Sequence, residues 1–226
     1  MNITYYGQSC VGIKIGNFNV LFDPFIKGNP LASSIDIKSI KADFILITHA
    51  HSDHMADAEE IAHNTNAPII TNNEMNKWFA KKGLKGGQGI NYGGKLVLDF
   101  GTVHYVNAIH SSQFPDGSSG GNPGGFVIET KEGNFYHAGD TALTMDMKLI
   151  PMICKLQFAF LPIGGYYTMD YKDAVVACDF IECNKVIGMH YDSFPQIKID
   201  HQDALNAFQS KGKELILMKI GETIEI

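Results

Sequence analysis

The chain has 226 residues, a net charge of −6 at pH 7, and 45% hydrophobic against 19% charged residues. These values predict a globular protein with a real core, and we expect residues 1–226 to form a single domain. An acidic chain argues against nucleic acid as a partner. No apolar run approaches the roughly 20 residues of a bilayer span and no secretion signal is visible, so we expect no membrane partner and a cytoplasmic location.

The first half of the chain reads as strands followed by alternating strands and helices. The segments NITYYG, CVGIKIG and FNVLFD predict three contiguous strands, and ADFILITHAH predicts a buried strand that runs into histidines. MADAEEIAHN and NEMNKWFAKKG predict helices on either side of a short strand, APIITN. KLVLDFGTVHYVNAIH predicts two further strands.

The second half repeats this pattern. GGFVIETKEGNFYHAGD predicts a hairpin turning at Glu132 and Gly133, and MDMKLIPMIC predicts a short helix. Buried strands are predicted in QFAFLPIGG and NKVIGMH, and helices in MDYKDAVVACDFIE, with Asp170 as N-cap, and DHQDALNAFQSKG. The last segment, KELILMKIGETIEI, returns to strand. Because the opening strands are contiguous, two mixed sheets with helices outside are favoured over one doubly wound sheet.

Metal-competent side chains are concentrated at the ends of predicted strands. His49, His51, Asp53 and His54 fall within six positions of a chain that has only nine histidines. His49 and His51 point the same way in an extended segment, and they suit one metal ion, while Asp53 and His54 suit a second. Each ion would still lack ligands, since hydrolytic sites use about three protein ligands and a water.

The missing ligands are expected at three later strand ends. His110 in NAIHSS would complete the first metal, His190 in IGMHYDS the second, and Asp140 in HAGDT could bridge both through its two carboxylate oxygens.

The ordered set H-x-H-x-D-H, His, G-D, His resembles the metallo-β-lactamase fold superfamily. Within it, YYGQSC, LFDPFIKGNP, THAHSDH, AIHSS, HAGDT and PIGGYYTM are similar to the UPF0173 family of metal-dependent hydrolases, which is akin to the ascorbate-6-phosphate lactonases. The resemblance spans essentially the whole chain. It implies an α/β (α+β) fold, a four-layer αβ/βα sandwich with a dinuclear site at one edge, and the same ligand assignment. It also implies that Asp23 in LFDP holds the histidine loop by hydrogen bonds.

Further residues are candidates for supporting roles. His137 precedes Asp140 by three positions and could brace its loop. Tyr166 and Tyr167 could offer hydroxyls to a substrate, with Tyr191 as a weaker candidate. The glycine-rich segment 114–126 is either a flexible connection or a lid or wall near the metals.

The implied activity is hydrolysis of an ester-type bond in a small substrate by a hydroxide that bridges two divalent metal ions. Asp53 could shuttle the proton, and Asp140 holds both ions. Zinc is the first choice, and manganese, iron and nickel remain open. The alternatives are an RNA or DNA phosphodiesterase of the same fold and a metal-binding module without turnover. The four cysteines lack metal-site spacing and are expected to be reduced thiols, and a homo-oligomer is compatible with the sequence.

Overall fold

A computed structural model describes residues 1–84 and 86–226, which divide into two compact units. The first unit comprises Met1–Gly94, Ser111–Pro123 and Lys219–Ile226, and the second comprises Lys95–His110 and Gly124–Met218. Every helix in the described part of the chain is too short or too polar to cross a membrane.

The first unit is built on a mixed sheet of seven strands. Its strands are β1 (Asn2–Gly7), β2 (Cys10–Ile15), β3 (Phe18–Phe22), β4 (Phe44–Leu46), β5 (Ile69–Asn72), β6 (Gln88–Ile90) and β14 (Thr223–Glu225). The spatial order is β14-β1-β2-β3-β4-β5-β6, antiparallel from β14 to β3 and parallel from β3 to β6. Parallel strands end at the same edge, so the residues that follow β3 and β4 meet there.

Three helices belong to this unit: α1 (Ser52–Met55), α2 (Ala58–Thr65) and α3 (Asn73–Lys81). The side chain of Asn72 caps α3 by accepting a hydrogen bond from the Met75 amide, as the preference for Asn at N-caps predicts. Met75 and Phe79 turn inward from α3 and join Ile45 and Ile47 in one apolar cluster. This cluster anchors the chain on both sides of the histidine loop.

The second unit contains the other mixed sheet of seven strands. Its strands are β7 (Lys95–Leu98), β8 (Gly101–Asn107), β9 (Gly124–Glu129), β10 (Phe135–His137), β11 (Phe158–Pro162), β12 (Lys185–Met189) and β13 (Glu214–Ile216). The order is β13-β12-β11-β10-β9-β8-β7, parallel from β10 to β13 and antiparallel elsewhere. The helices are α4 (Tyr171–Phe180) and α5 (His201–Gln209). The prediction of two mixed sheets is confirmed.

Several local predictions differ from the structure. The strand expected over ADFILITHAH is regular only at Phe44–Leu46, because the following backbone turns to form the histidine loop. The helix expected at MDMKLIPMIC is a 3-10 helix, Met145–Met152, and Pro151 inside it cannot donate the amide hydrogen bond of an α-helix. Three short 3-10 helices (Pro30–Ala32, Ile37–Ser39 and Pro195–Ile197) and β6 were not predicted.

The last segment of the chain forms two strands instead of one. β13 pairs with β12, whereas β14 pairs with β1 in the other sheet. Gly221 separates them with a φ of +82°, and its amide donates to the Tyr5 carbonyl at 2.7 Å. Apolar residues stand on both sides of Gly221 in KELILMKIGETIEI, so the segment was predicted as a single strand.

Candidate metal centre

The histidine loop of the first unit brings two imidazole nitrogens together. His49 Nε2 and His51 Nδ1 lie 3.0 Å apart, and the two rings meet edge to face. Two ligands that each lie about 2.0–2.1 Å from a tetrahedral ion are separated by about 3.3 Å. The separation therefore suits a pair of nitrogens that share one metal ion.

The Asp23 carboxylate determines which nitrogen of each buried histidine carries the proton. This carboxylate is fully buried and accepts hydrogen bonds from Thr48 N–H (2.8 Å), Thr48 Oγ1 (2.7 Å) and His54 Nδ1 (2.8 Å). Thr48 Oγ1 gives its only proton to Asp23, so it must accept from His49 Nδ1, which lies 3.0 Å away. Both imidazoles are then protonated on Nδ1, and in each ring the lone pair available to a metal ion is on Nε2.

Asp53 follows at the first turn of α1, beside His54. Asp53 Oδ2 lies 3.5 Å from His54 Nε2, and it accepts a hydrogen bond of 2.9 Å from the Gln8 side-chain amide. His54 is buried and Asp53 is partly exposed. An imidazole nitrogen and a carboxylate oxygen at this distance suit a second pair of metal ligands in the first unit.

The segment Ser111–Pro123 braces the histidine loop from outside. Ser112 Oγ accepts from Ala50 N–H at 3.2 Å, and Ser111 Oγ lies 3.3 Å from His51 Nε2. A Cβ on Gly120 would lie 2.2 Å from Ala50 Cβ, so only glycine permits this close approach.

The same segment is pinned to the rest of its unit. The Asn72 side-chain amide donates to the carbonyls of Gly120 (2.7 Å) and Asn122 (3.2 Å), and the buried Phe114 ring stacks on Trp78 with centroids 4.3 Å apart. Of the alternatives predicted for the glycine-rich segment, these contacts favour a fixed wall.

The second unit brings two expected histidine ligands to one carboxylate oxygen of a third expected ligand, Asp140. Asp140 Oδ2 lies 2.9 Å from His190 Nε2 and 3.5 Å from His110 Nε2. Asp140 and His190 are buried, and His110 is half-buried. A single oxygen of Asp140 thus faces both imidazoles.

The loops that carry these ligands are held in uncommon conformations. His190 directly follows β12 and has a φ of +56°, in the left-handed region that non-glycine residues rarely adopt. Gly139, just before Asp140, has a φ of +62° and donates its N–H to His137 Nδ1 at 3.3 Å. His137 is buried, and this hydrogen bond joins it to the residue before Asp140.

The tyrosines expected near a substrate separate into two groups. Tyr166 and Tyr167 are 77% and 51% exposed, and their rings lie edge to face. Tyr191 is only 6% exposed, and its hydroxyl donates to the Met218 carbonyl at 3.4 Å. The hydroxyl of Tyr191, the weaker candidate for substrate contact, is therefore engaged inside the protein.

Gln8 and Thr48 are the site residues that sequence reasoning missed. Thr48 precedes His49 directly, and Gln8 stands at the end of the first strand, between Gly7 and Ser9. A polar residue where an apolar strand stops was the signal available for Gln8, and it was not read as part of the site.

Comparison with known proteins identifies the class of protein to which the chain belongs. A family model described as a beta-lactamase superfamily domain matches residues 2–190. A solved metallo hydrolase from Ignicoccus hospitalis, Igni18, superposes with a TM-score of 0.88 and 34% identity, covering 99% of this chain and 97% of that one. The chain is therefore a metal-dependent hydrolase with the metallo-β-lactamase fold, and both expectations are confirmed.

Two individual relatives define the family more closely. UPF0173 metal-dependent hydrolases of Flavobacterium johnsoniae and Christiangramia forsetii are 55% and 56% identical, each over the full length of both proteins. The chain belongs to the UPF0173 family of metal-dependent hydrolases.

Proposed function

We propose that this hydrolase is dinuclear and that it cleaves an ester-type bond, a phosphoester, lactone or thioester, in a small soluble substrate. One observation carries the proposal. The hydrogen bonds of Asp23 place the ring protons of His49 and His54 on Nδ1, so that Nε2 is the nitrogen of each ring that can bind a metal ion. A buried carboxylate that orients two imidazoles in this way is typical of catalytic metal sites.

The proposed ligands follow from the donor atoms in each unit. His49, His51 and His110 would hold the first metal ion, Asp53, His54 and His190 would hold the second, and Asp140 would be shared by both. In support of the bridge, Asp140 Oδ2 faces the Nε2 atoms of both His110 and His190. A set of imidazoles with two carboxylates suits zinc first and also accepts manganese, iron or nickel.

Bound divalent ions lower the pKa of a water molecule toward neutrality and polarise the bond to be cleaved. The residues of the chain do the rest. Asp53 Oδ2 is already held by the Gln8 amide, so its carboxylate has a fixed position from which to accept a proton. Asp140 holds its oxygen within 3.5 Å of two imidazoles and thereby fixes where the reacting groups meet.

Tyr166 and Tyr167 are proposed to contact the substrate. Their loop is tied to the chain beside the ligands, because Met169 N–H donates to the Thr141 carbonyl at 2.9 Å, one residue after Asp140. Tyr166 also has a strained φ of +59° while its ring is exposed. A strained, exposed aromatic next to ligand-bearing loops favours contact with an apolar or ring-shaped part of a substrate.

The tyrosine proposal has a direct kinetic test. Tyr166→Ala should raise KM with little change in kcat, since it removes binding that is equally strong in the ground state and the transition state. Met152→Ala, a change at an equally exposed apolar residue, is the control and should leave both constants unchanged.

Elemental analysis and a substrate panel test the main proposal. Purified protein should hold two metal ions per chain, and Mn- or Zn-loaded protein should hydrolyse at least one of bis-p-nitrophenyl phosphate, a lactone series and a thioester series. Asp140→Asn should lose this activity and metal, while the exposed Asp99→Asn should keep both.

Three results would contradict the proposal. One metal ion per chain would refute the dinuclear site. Equal inertness of wild type and Asp140→Asn, with metal bound, would favour a module without turnover. Cleavage of structured RNA with steep salt dependence would favour a nuclease.

The family relatives align over their full length, which supports the proposal that residues 1–226 act as one hydrolase domain. A cytoplasmic location is proposed because reduced thiols are typical of that compartment. All four cysteines are free, and burial raises the pKa of Cys178 to about 12, so this thiol stays protonated.

A further inference from the structure

Gln8 occupies a strained and buried position at the tip of the first hairpin. The pairing of β1 with β2 shifts register between Tyr5 and Gly7, and Gln8 follows with a φ of +55°. Its side chain is completely buried. The Tyr5 hydroxyl holds this conformation by donating to the Gln8 carbonyl at 3.0 Å. A bulge and a left-handed residue together re-aim a side chain away from the usual alternation of a strand.

The re-aimed side chain reaches the histidine loop 45 residues further along the chain. Gln8 Nε2 lies 2.9 Å from Asp53 Oδ2. The orientation of the amide is fixed by charge, because the reverse orientation would set the amide oxygen against the carboxylate. The hydrogen bond thus ties one carboxylate oxygen of Asp53 to the protein.

The oxygen of the Gln8 side-chain amide is destabilising where it lies. Gln8 Oε1 is buried and has no hydrogen-bond partner among the residues that the structure describes. An apolar side chain would remove this buried acceptor, and Gly or Asn would fit the left-handed backbone better. The chain nevertheless has a glutamine at this position, and what its side chain provides is the hydrogen bond to Asp53.

We propose that Gln8 is a positioning residue, whose amide fixes Asp53 in the rotamer that presents its carboxylate to the second metal ion. The inference rests on the proposed function, in which Asp53 is a ligand of that ion. It assigns to Gln8 an effect on one metal site only, because the residue to which the Gln8 amide donates, Asp53, belongs to that site.

Two variants separate positioning from a merely structural role. Gln8→Met keeps the length of the side chain and removes the hydrogen bond. Gln8→Asn relaxes the left-handed backbone but is one methylene too short to reach Asp53. Both should weaken the second metal site about 10–100-fold and leave the first unchanged, as expected for loss of a partner of a ligand.

The measurement is a titration of metal-free protein with Co²⁺ and with Zn²⁺ against a competing chelator, together with the visible spectrum of the Co²⁺ form. Gln202→Met, the same change on the exposed face of α5, is the control and should titrate as wild type. Melting temperatures of the metal-free proteins show whether the fold is retained. Gln8→Asn should melt no lower than wild type and still bind the second ion weakly.

The outcomes distinguish this inference from the proposed function. Wild-type protein that takes up no metal overturns both. Wild type with two ions and Gln8→Met with the same two affinities and the same Co²⁺ spectrum overturns the role of Gln8 alone. Equal weakening of both sites with a large fall in melting temperature also overturns it, since Gln8 would then support only the fold.

Discussion

The change Asp23→Asn tests whether one buried carboxylate sets the ligand state of two histidines. The new amide would keep the shape of Asp23 but place two donor hydrogens where Oδ2 now accepts from Thr48 Oγ1 and His54 Nδ1. Thr48 Oγ1 would then accept from the amide and donate to His49 Nδ1. His49 and His54 would both carry their proton on Nε2, the atom that should bind metal.

The structure gives the size of the effect. Hydrogen bonds to a charged acceptor contribute about 1.5–3 kcal/mol each, and two of the three bonds to Asp23 are reversed. The two reversed hydrogen bonds can still form, although they no longer involve a charged acceptor. We therefore take the lower figure for each and expect a loss of about 3 kcal/mol in the free energy of unfolding. Each metal site should weaken about 10–100-fold, which corresponds to about 1.4–2.8 kcal/mol of binding free energy.

Long-range ¹H–¹⁵N NMR correlations of the metal-free protein report the tautomer of each histidine, and chelator competition reports both affinities. The control is Asp43→Asn, in which the same change falls on an exposed carboxylate that bonds to Asn19 in the turn before β4. If Asp23→Asn left His49 and His54 protonated on Nδ1 and bound both metals as tightly as wild type, the hydrogen-bond chain would not control ligation.

Three further changes have defined outcomes. Gly164→Ala would place a Cβ 2.2 Å from the His190 carbonyl oxygen, so we expect weaker binding of the second metal ion in chelator competition, with the first ion unaffected. Burial raises the pKa of the partly exposed Cys154 thiol to about 11, so its labelling by Ellman's reagent should speed up about tenfold per pH unit from pH 8 to 10; a plateau near pH 9 would refute this. Phe114→Ala removes the ring stacked on Trp78, the one tryptophan of the chain, so its fluorescence should shift to the red and the free energy of unfolding should fall by about 3–5 kcal/mol in a denaturant titration.

Most strands and helices could be predicted from local pattern, because each depends on nearby residues. The predicted N-cap Asp170 does cap α4, accepting from the amides of Lys172 and Asp173. The strands that precede His49 and His190 were visible as apolar runs that stop at a histidine. Such signals depend on burial and hydrogen bonding within a few residues, which a sequence records directly.

Contacts between distant residues were outside the reach of these patterns. The pattern does not show that the strand beside β1 and the strand just before it pair in different sheets, since pairing partners are set by folding. Gln8 reads as a turn residue in the sequence, and its contact with Asp53 depends on a bulge in the first hairpin.

The sequence by itself determined the kinds of ligand atom and the strand ends that carry them, since composition and periodicity follow from local chemistry. Only the tertiary structure decided which nitrogen of His49 and His54 is left for a metal, because the Asp23 carboxylate that sets it lies 25 and 31 positions from its hydrogen-bond donors. Which ring nitrogen carries the proton depends on hydrogen-bond partners that folding brings together, and the positions of these residues in the sequence do not reveal it.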